Sequence, residues 1–315
     1  MAARQTMDDN HCNMSGRLFS HAPRQLDLMT RLPNFFLVGT SKSGTSTLHL
    51  WLSQHPDIYL SPRKELHFFC SCPPHLRAAG SWEEYLSLFQ NAQTTIVGEA
   101  SPCYLYYRDL PQDLLQRCPA AKILISLRDP VERFWSHYLM NRTYRDRYPD
   151  PQMLLDQWET GPPAIAPDDL VGVGMYGAQL ERFQRAFAPS QLKVVFLEEM
   201  AANPDALVAD VLSFLQVESR KLNTGQQDKV YVKGKNQLAR LFLETAAIRR
   251  LGVALLSPRV RRYLKYRVLG TSDSKPDVPE DLELTLRKIY RKDSLRLEGL
   301  LGRSLPWQWH QGHPI

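Results

Sequence analysis

The stretch Phe35-Phe-Leu-Val-Gly39-Thr-Ser-Lys42-Ser-Gly44-Thr-Ser-Thr47 decides the fold. Phe35–Val38 is an apolar run of strand length. A turn of small residues with one lysine follows. Leu48, Trp51, Leu52 and His55 then recur at helical spacing until Pro56 stops the helix. Strand, turn and helix in that order form the first half of a βαβ unit.

Outward from this unit the same alternation repeats. Residues 58–60, 95–97 (running into Gly98-Glu99), 122–127 and 192–197 read as strands, and the near-continuous apolarity of Lys122-Ile-Leu-Ile-Ser-Leu127 fits a strand buried on both faces. Helices are expected over 82–89, 130–140, 176–187, 205–215, parts of 237–267, and 280–301. Asp129 can cap the second of these, with Pro130 at its first position and Glu132 three residues after the cap. Such alternation implies a doubly wound α/β domain: a P-loop-like parallel sheet flanked by helices on both faces. Residues 161–168 and 271–279 read as loops. The division expected is a flexible leader at 1–30, one domain at 31–307 and a tail at 308–315.

Composition narrows the class. Of 315 residues, 43% are hydrophobic and 23% charged, enough for a sizeable core and incompatible with wholesale disorder. No apolar run approaches the roughly 18 residues that span a bilayer. The N-terminus lacks the basic-then-apolar plan of a signal peptide, so a soluble cytoplasmic protein is expected. Five cysteines, an odd number spread over a long chain, argue for reduced thiols, and Cys70-Ser-Cys72 lacks the spacing of a zinc knuckle. The net charge is +6, concentrated between Lys233 and Arg267, where ten Lys/Arg face one acid, Glu244. That stretch suits contact with an anionic surface, or simply two solvated helices. With no nucleic-acid reading module in the chain, no nucleic-acid partner is expected.

In parallel sheets ligands bind where a strand's carboxyl end meets a helix N-terminus. Gly39 and Gly44 let the backbone approach an anion there. Amides from Ser43 to Ser46 would point at it, Lys42 adds a full charge, and the Thr45 and Ser46 hydroxyls add donors. A Walker A loop would place its lysine directly after the second glycine. Here Lys42 precedes Gly44, and Thr45 holds the lysine position. A P-loop kinase or nucleoside triphosphatase therefore remains only as an alternative, with Asp129 as its magnesium holder. A non-catalytic anion-binding adaptor is a second alternative.

Lys42-Ser-Gly-Thr-Ser46 in this setting resembles the 5′-phosphosulfate-binding loop of sulfotransferases that use 3′-phosphoadenosine-5′-phosphosulfate (PAPS). Leu127-Arg-Asp-Pro-Val-Glu-Arg-Phe-Trp-Ser-His-Tyr138, about 85 residues further on, resembles their 3′-phosphate-binding motif. The resemblance implies that Arg128 and Ser136 hold the 3′-phosphate, that PAPS is the donor and adenosine 3′,5′-bisphosphate (PAP) the product, and that no metal is required. It also implies a glycan or small-metabolite acceptor. Lys233-Gly-Lys235 falls where relatives close a loop over the nucleotide.

Sulfuryl transfer is an in-line displacement at sulfur, and the charge it develops falls mainly on the leaving phosphate. Lys42 is the candidate to stabilise that charge. The acceptor needs a general base. Glu65, beside Arg63 and Lys64, matches the catalytic glutamate of the carbohydrate O-sulfotransferases that the chain resembles. His67 competes for the role, and a purely structural pair is the third reading. In glycosaminoglycan sulfotransferases a later strand end commonly reads Glu-Lys-Thr-Pro. Here it is Glu99-Ala-Ser-Pro102, which weakens the case for a heparan-type acceptor.

Overall fold

The computed structural model describes residues 32–72, 74–145, 148–161, 168–225 and 275–311, with the backbone of 233–234 and 270–271. Five parallel strands form the main sheet: β1 (Phe35–Gly39), β2 (Ile58–Leu60), β3 (Ile96–Ala100), β4 (Lys122–Leu127) and β5 (Leu192–Phe196), in the spatial order β2-β3-β1-β4-β5. Around it lie α1 (Thr45–Leu52), α2 (Trp82–Ser87), α3 (Leu110–Arg117), α4 (Pro130–Tyr144), α5 (Pro151–Thr160), α6 (Tyr176–Ala186), α7 (Leu197–Ala202), α8 (Pro204–Leu215) and α9 (Glu280–Leu301).

Strand periodicity explains why both faces are covered. Phe35 and Leu37 point to one side and pack with Leu48 and Trp51 of α1 and Val211 and Leu212 of α8. Phe36 and Val38 point to the other and pack with Leu114 of α3 and Phe183 of α6. All five residues of β1 are buried, so an apolar run with no polar alternation is what this position requires. β1 and β3 run so close that a Cβ at Gly98 would fall 2.0 Å from the Phe35 carbonyl oxygen. Central placement of β1 sets its C-terminal turn in the middle of the sheet's ligand-binding edge.

The strands expected from the sequence are present, and three helices are additional. α3 and α5 each carry a proline in their first turn, where the missing N–H costs nothing. Asp150 caps α5 by accepting from the Gln152 N–H at 2.9 Å, the same device as Asp129-Pro130. α7 follows β5 without a breaking residue, and the Phe196 N–H donates to Glu199 Oε2 at 3.0 Å.

Two corrections concern the ends of the reading. Cys70 and Cys72 form a disulfide rather than remaining thiols, their Cα atoms 5.2 Å apart and so within bridging distance, and Arg77 donates to both of their carbonyls. Packing also continues beyond residue 307. His310 is fully buried, and the Trp309 indole donates to Asp129 Oδ2 at 2.8 Å, so these two residues belong to the body rather than to a tail. Lys233–Gly234 pairs antiparallel with Gly270–Thr271. The leader at 1–30, Lys235 and the helices read within 237–267 lie outside the described residues. Among the described residues no helix is long and apolar enough to cross a membrane.

Candidate active site

The turn after β1 is tied to its neighbour strand. The Thr40 N–H donates to the Ser126 carbonyl at 2.6 Å, and Ser126 Oγ donates to the Ser43 carbonyl at 2.5 Å. Gly44 is the N-cap of α1 at φ 79°. Its lack of a side chain is also steric, since a Cβ would lie 2.4 Å from Met200 Cε. The cap supplies no side-chain acceptor and the first turn holds no acid, so the positive end of α1 stays uncompensated. Ser43 Oγ is buried without a partner. The Ser43 N–H, expected to face an anion, instead turns back to the Thr40 carbonyl at 3.3 Å. Thr45 is buried and Ser46 half-buried.

Two ammonium groups flank this turn. Lys42 Nζ lies 3.6 Å from Met140 Sδ on α4. Lys64 Nζ donates to Thr45 Oγ1 at 3.2 Å and stands 3.5 Å from Glu65 Oε1. A hydroxyl of the turn, an ammonium and a carboxylate thus follow one another in space. Lys64 is the residue that sequence reasoning left as a mere neighbour of Glu65; its only signal was its place beside a candidate base.

The second station is the β4–α4 junction. Asp129 Oδ1 accepts from the Val131 and Glu132 N–H groups, at 2.8 and 3.3 Å, as the cap signal required. Its other oxygen takes the Trp309 indole, so both oxygens are committed to protein donors and neither is set aside for magnesium. Arg128 Nη2 contacts Glu132 Oε2 at 2.9 Å, and Lys275 Nζ reaches the same oxygen at 2.5 Å. Partly exposed ion pairs of this kind contribute little to stability, about 0–1 kcal/mol each. Two cations thus converge on one carboxylate at this junction, with the Asp129 and Glu198 carboxylates close by. Burial lowers the Lys275 pKa, opposed by its bond to Glu132. Glu132, Ser136 and Met140 are half-buried and four residues apart, so they share one face of α4, and Arg128, two residues before the helix, reaches Glu132 at its start. That face runs from Lys275 to the Met140–Lys42 contact and joins the two stations.

Glu65 and His67 sit in a loop built from a distance. The Glu65 N–H donates to the Ala100 carbonyl at 2.9 Å, and the His67 N–H to Ser101 Oγ at 3.4 Å. Tyr104 OH accepts from the Phe68 N–H at 2.9 Å. Behind them lies Glu99, fully buried and accepting from Ser101 Oγ at 2.6 Å, Tyr85 OH at 2.7 Å and Tyr104 OH at 3.1 Å. Burial pushes its carboxyl up to about 7 against those hydrogen bonds. His67 is lowered from its ordinary value by burial, which outweighs the opposing pull of Glu65. Its Nε2 stands 3.7 Å from Glu65 Oε2, and its Nδ1 3.1 Å from Cys103 Sγ.

Backbone conformation singles out the same residues. Among the described residues four non-glycines have positive φ: Lys42 at 74°, Glu65 at 65°, His67 at 54° and Gln216 at 60°. Left-handed backbone costs a side-chain-bearing residue roughly 1–2 kcal/mol, and such strain gathers where function requires it. Through Lys64 the structure sets the turn of Lys42, Ser43, Gly44, Thr45 and Ser46 beside Glu65, with His67 3.7 Å beyond it, while Ser136 lies on α4 and Arg128 just before it. Of Lys233 only the backbone is described.

The model of the sulfotransferase domain family matches residues 32–233, and the chain belongs to that family. It is 27% identical over 289 residues to human bifunctional heparan sulfate N-deacetylase/N-sulfotransferase 2; that match takes in 87% of this chain but 30% of the relative, so the chain spans less than a third of that protein's length. Human heparan sulfate glucosamine 3-O-sulfotransferase 6 is 26% identical over 279 residues, 88% of this chain and 74% of the relative. A solved sulfotransferase from Alicyclobacillus acidocaldarius matches with TM-score 0.64 and 29% identity, over 89% of this chain and 99% of that one. Mouse sulfotransferase SULT7A1 complexed with PAP shares the P-loop-like fold, with TM-score 0.51 and 13% identity over 87% of this chain and 90% of that one.

Proposed function

We propose that the chain transfers a sulfuryl group from PAPS to a hydroxyl or amine of a glycan or small-molecule acceptor. The observation that carries this reading is the chain of contacts Thr45–Lys64–Glu65, which sets a carboxylate in a strained backbone at the mouth of an anion-binding turn. The residues fit a donor with phosphates at both ends. A buried hydroxyl without a partner, Ser43 Oγ, and the positive end of α1 meet one end, and the Arg128 guanidinium with the Lys275 ammonium meets the other.

PAPS supplies an activated sulfuryl group whose single charge makes less electrostatic demand than a phosphoryl group. Lys42 stabilises the charge left on the departing phosphate, assisted by the α1 amides and the Thr45 and Ser46 hydroxyls. Arg128, Lys275 and Ser136 hold the 3′-phosphate. Glu65 accepts the acceptor's proton. His67 is the weaker base candidate, because its Nδ1 faces a buried sulfur rather than the mouth. Ala100 leaves the β3 end without the lysine common in glycosaminoglycan enzymes, and Lys64 provides a second cation from the neighbouring loop. Glycan acceptors accord with the heparan sulfate names of two relatives, and magnesium has no assigned role.

The test is transfer of labelled sulfate from PAPS to a panel of glycans and small hydroxyl or amine acceptors, with and without EDTA. Acceptor-dependent transfer that survives EDTA and falls in Glu65→Gln supports the reading. Magnesium-dependent cleavage of ATP with no sulfate transfer would favour the nucleoside triphosphatase alternative.

A further inference from the structure

Within the loop that carries Glu65, and joined by Cys103 from the turn after β3, four metal-seeking side chains meet. His67, Cys70, Cys72 and Cys103 each bring one ligand atom to a common point, and these atoms all lie within 4.8 Å of one another. The three sulfurs belong to buried residues and the imidazole is half-buried. We propose that, with its thiols reduced, this cluster binds one zinc ion as a closed Cys3His site. The inference is independent of the sulfuryl-transfer reading.

Zinc bonds of about 2.3 Å to sulfur and 2.0–2.1 Å to nitrogen put tetrahedral ligands roughly 3.5–3.8 Å apart. The cluster reaches that spacing once the Cys70 and Cys72 sulfurs part. Three thiolates with an imidazole select zinc over the hard cations magnesium and calcium. Four protein ligands leave no open position, so the ion would be structural, pinning the loop that carries Glu65.

The surroundings are those of a held site. Arg77 Nη2 donates to the Cys70 carbonyl at 3.1 Å and its Nε to the Cys72 carbonyl at 3.2 Å. That guanidinium offsets the single negative charge of zinc with three thiolates. Tyr107 OH lies 3.3 Å from Cys72 Sγ, where it can donate to a thiolate. While Nδ1 of His67 faces Cys103, its Nε2 faces Glu65, the carboxylate–histidine arrangement that orients metal-bound imidazoles. Zinc and the Cys70–Cys72 disulfide exclude each other, because each sulfur must be a thiolate to bind the ion. The disulfide is the oxidised form of the same cluster: a phosphine or thiol reductant supplies the two electrons that cleave it to two thiols, and these give up their protons on binding zinc.

The full chain is reduced with a phosphine and titrated separately with Zn2+ and Co2+. Expected are one zinc per chain by native mass spectrometry and, for cobalt, the intense visible bands of a tetrahedral ion with charge-transfer intensity corresponding to three thiolates. Cys103→Ser and Cys72→Ser should weaken zinc binding at least ~10-fold, whereas Cys118→Ala, buried elsewhere, keeps one zinc. The cobalt spectrum of the unmutated chain reads the ligand set even if a variant misfolds. A fully reduced chain that takes up no zinc, a weak octahedral cobalt spectrum, or equal binding by wild type and Cys72→Ser would overturn the proposal.

Discussion

Two loops stand side by side at the carboxyl edge of the sheet, joined by the 3.2 Å contact of Lys64 with Thr45, and they are made by different means. The 39–47 turn is local. Its strand, glycines, lysine and helix start are consecutive, and its main outside ties are to β4 through Ser126. The 63–72 loop has no regular structure of its own. Arg77 holds its far half and the Ala78 N–H donates to its Leu66 carbonyl. The stretch carrying Glu65 and His67 is held by residues more than 30 positions later, the Ala100 carbonyl, Ser101, Tyr104 and, behind them, Glu99. The difference teaches that the turn proposed to bind the anion depends on the chain's order, whereas the loop carrying the proposed base Glu65 depends on a buried acid.

Variants of each loop should therefore fail in different ways. The largest effect is expected for Glu65→Gln, a loss of about 10²–10⁴ in kcat, the usual worth of a general base. Its side chain is 45% exposed, so the melting temperature should stay near wild type in the same preparation. Lys42→Ala should cost about 10²–10³ in kcat. Lys42→Gly should lose as much activity without a matching loss of stability, because glycine relieves roughly 1 kcal/mol of left-handed strain. A Lys42→Gly protein less stable than Lys42→Ala in denaturant titrations would show that the backbone strain had been misread. Arg128→Ala should act mainly on donor KM, by about 10–100-fold, as expected for a lost charge-assisted contact.

A stability measurement, rather than a rate, distinguishes the second loop by pH. The unfolded Glu99 carboxyl loses its proton near the ordinary 4.5 and the folded one near 7. Between those values the folded state holds more protons, so stability should fall as pH rises, by on the order of 3 kcal/mol, and level off above 7. Urea titrations across this range measure the slope. Glu99→Gln should flatten it, while Lys42→Ala should leave it unchanged.

Legibility followed the same division. Strand β1, the cap at Asp129 and the expected anion turn could be read because each signal lies within a few consecutive residues. The roles of Lys64 and Lys275 could not, since only the fold brings Lys64 to Thr45 and Lys275 to Glu132. Two cysteines were misread for a related reason: the spacing of Cys70-Ser-Cys72 does not by itself bring their sulfurs together, and the fold does, whereas Cys103 and Cys118 are free thiols as expected. Helices α3 and α5 were hidden by prolines that start them rather than stop them.

The most direct measurement is calorimetric titration with PAP in the presence of EDTA, since two cationic stations on neighbouring strands are the core of the account. It predicts one binding site per chain, weakened at least ~10-fold by Lys42→Ala and, separately, by Arg128→Ala. No heat of binding, a requirement for magnesium, or variants that bind as wild type does would contradict it.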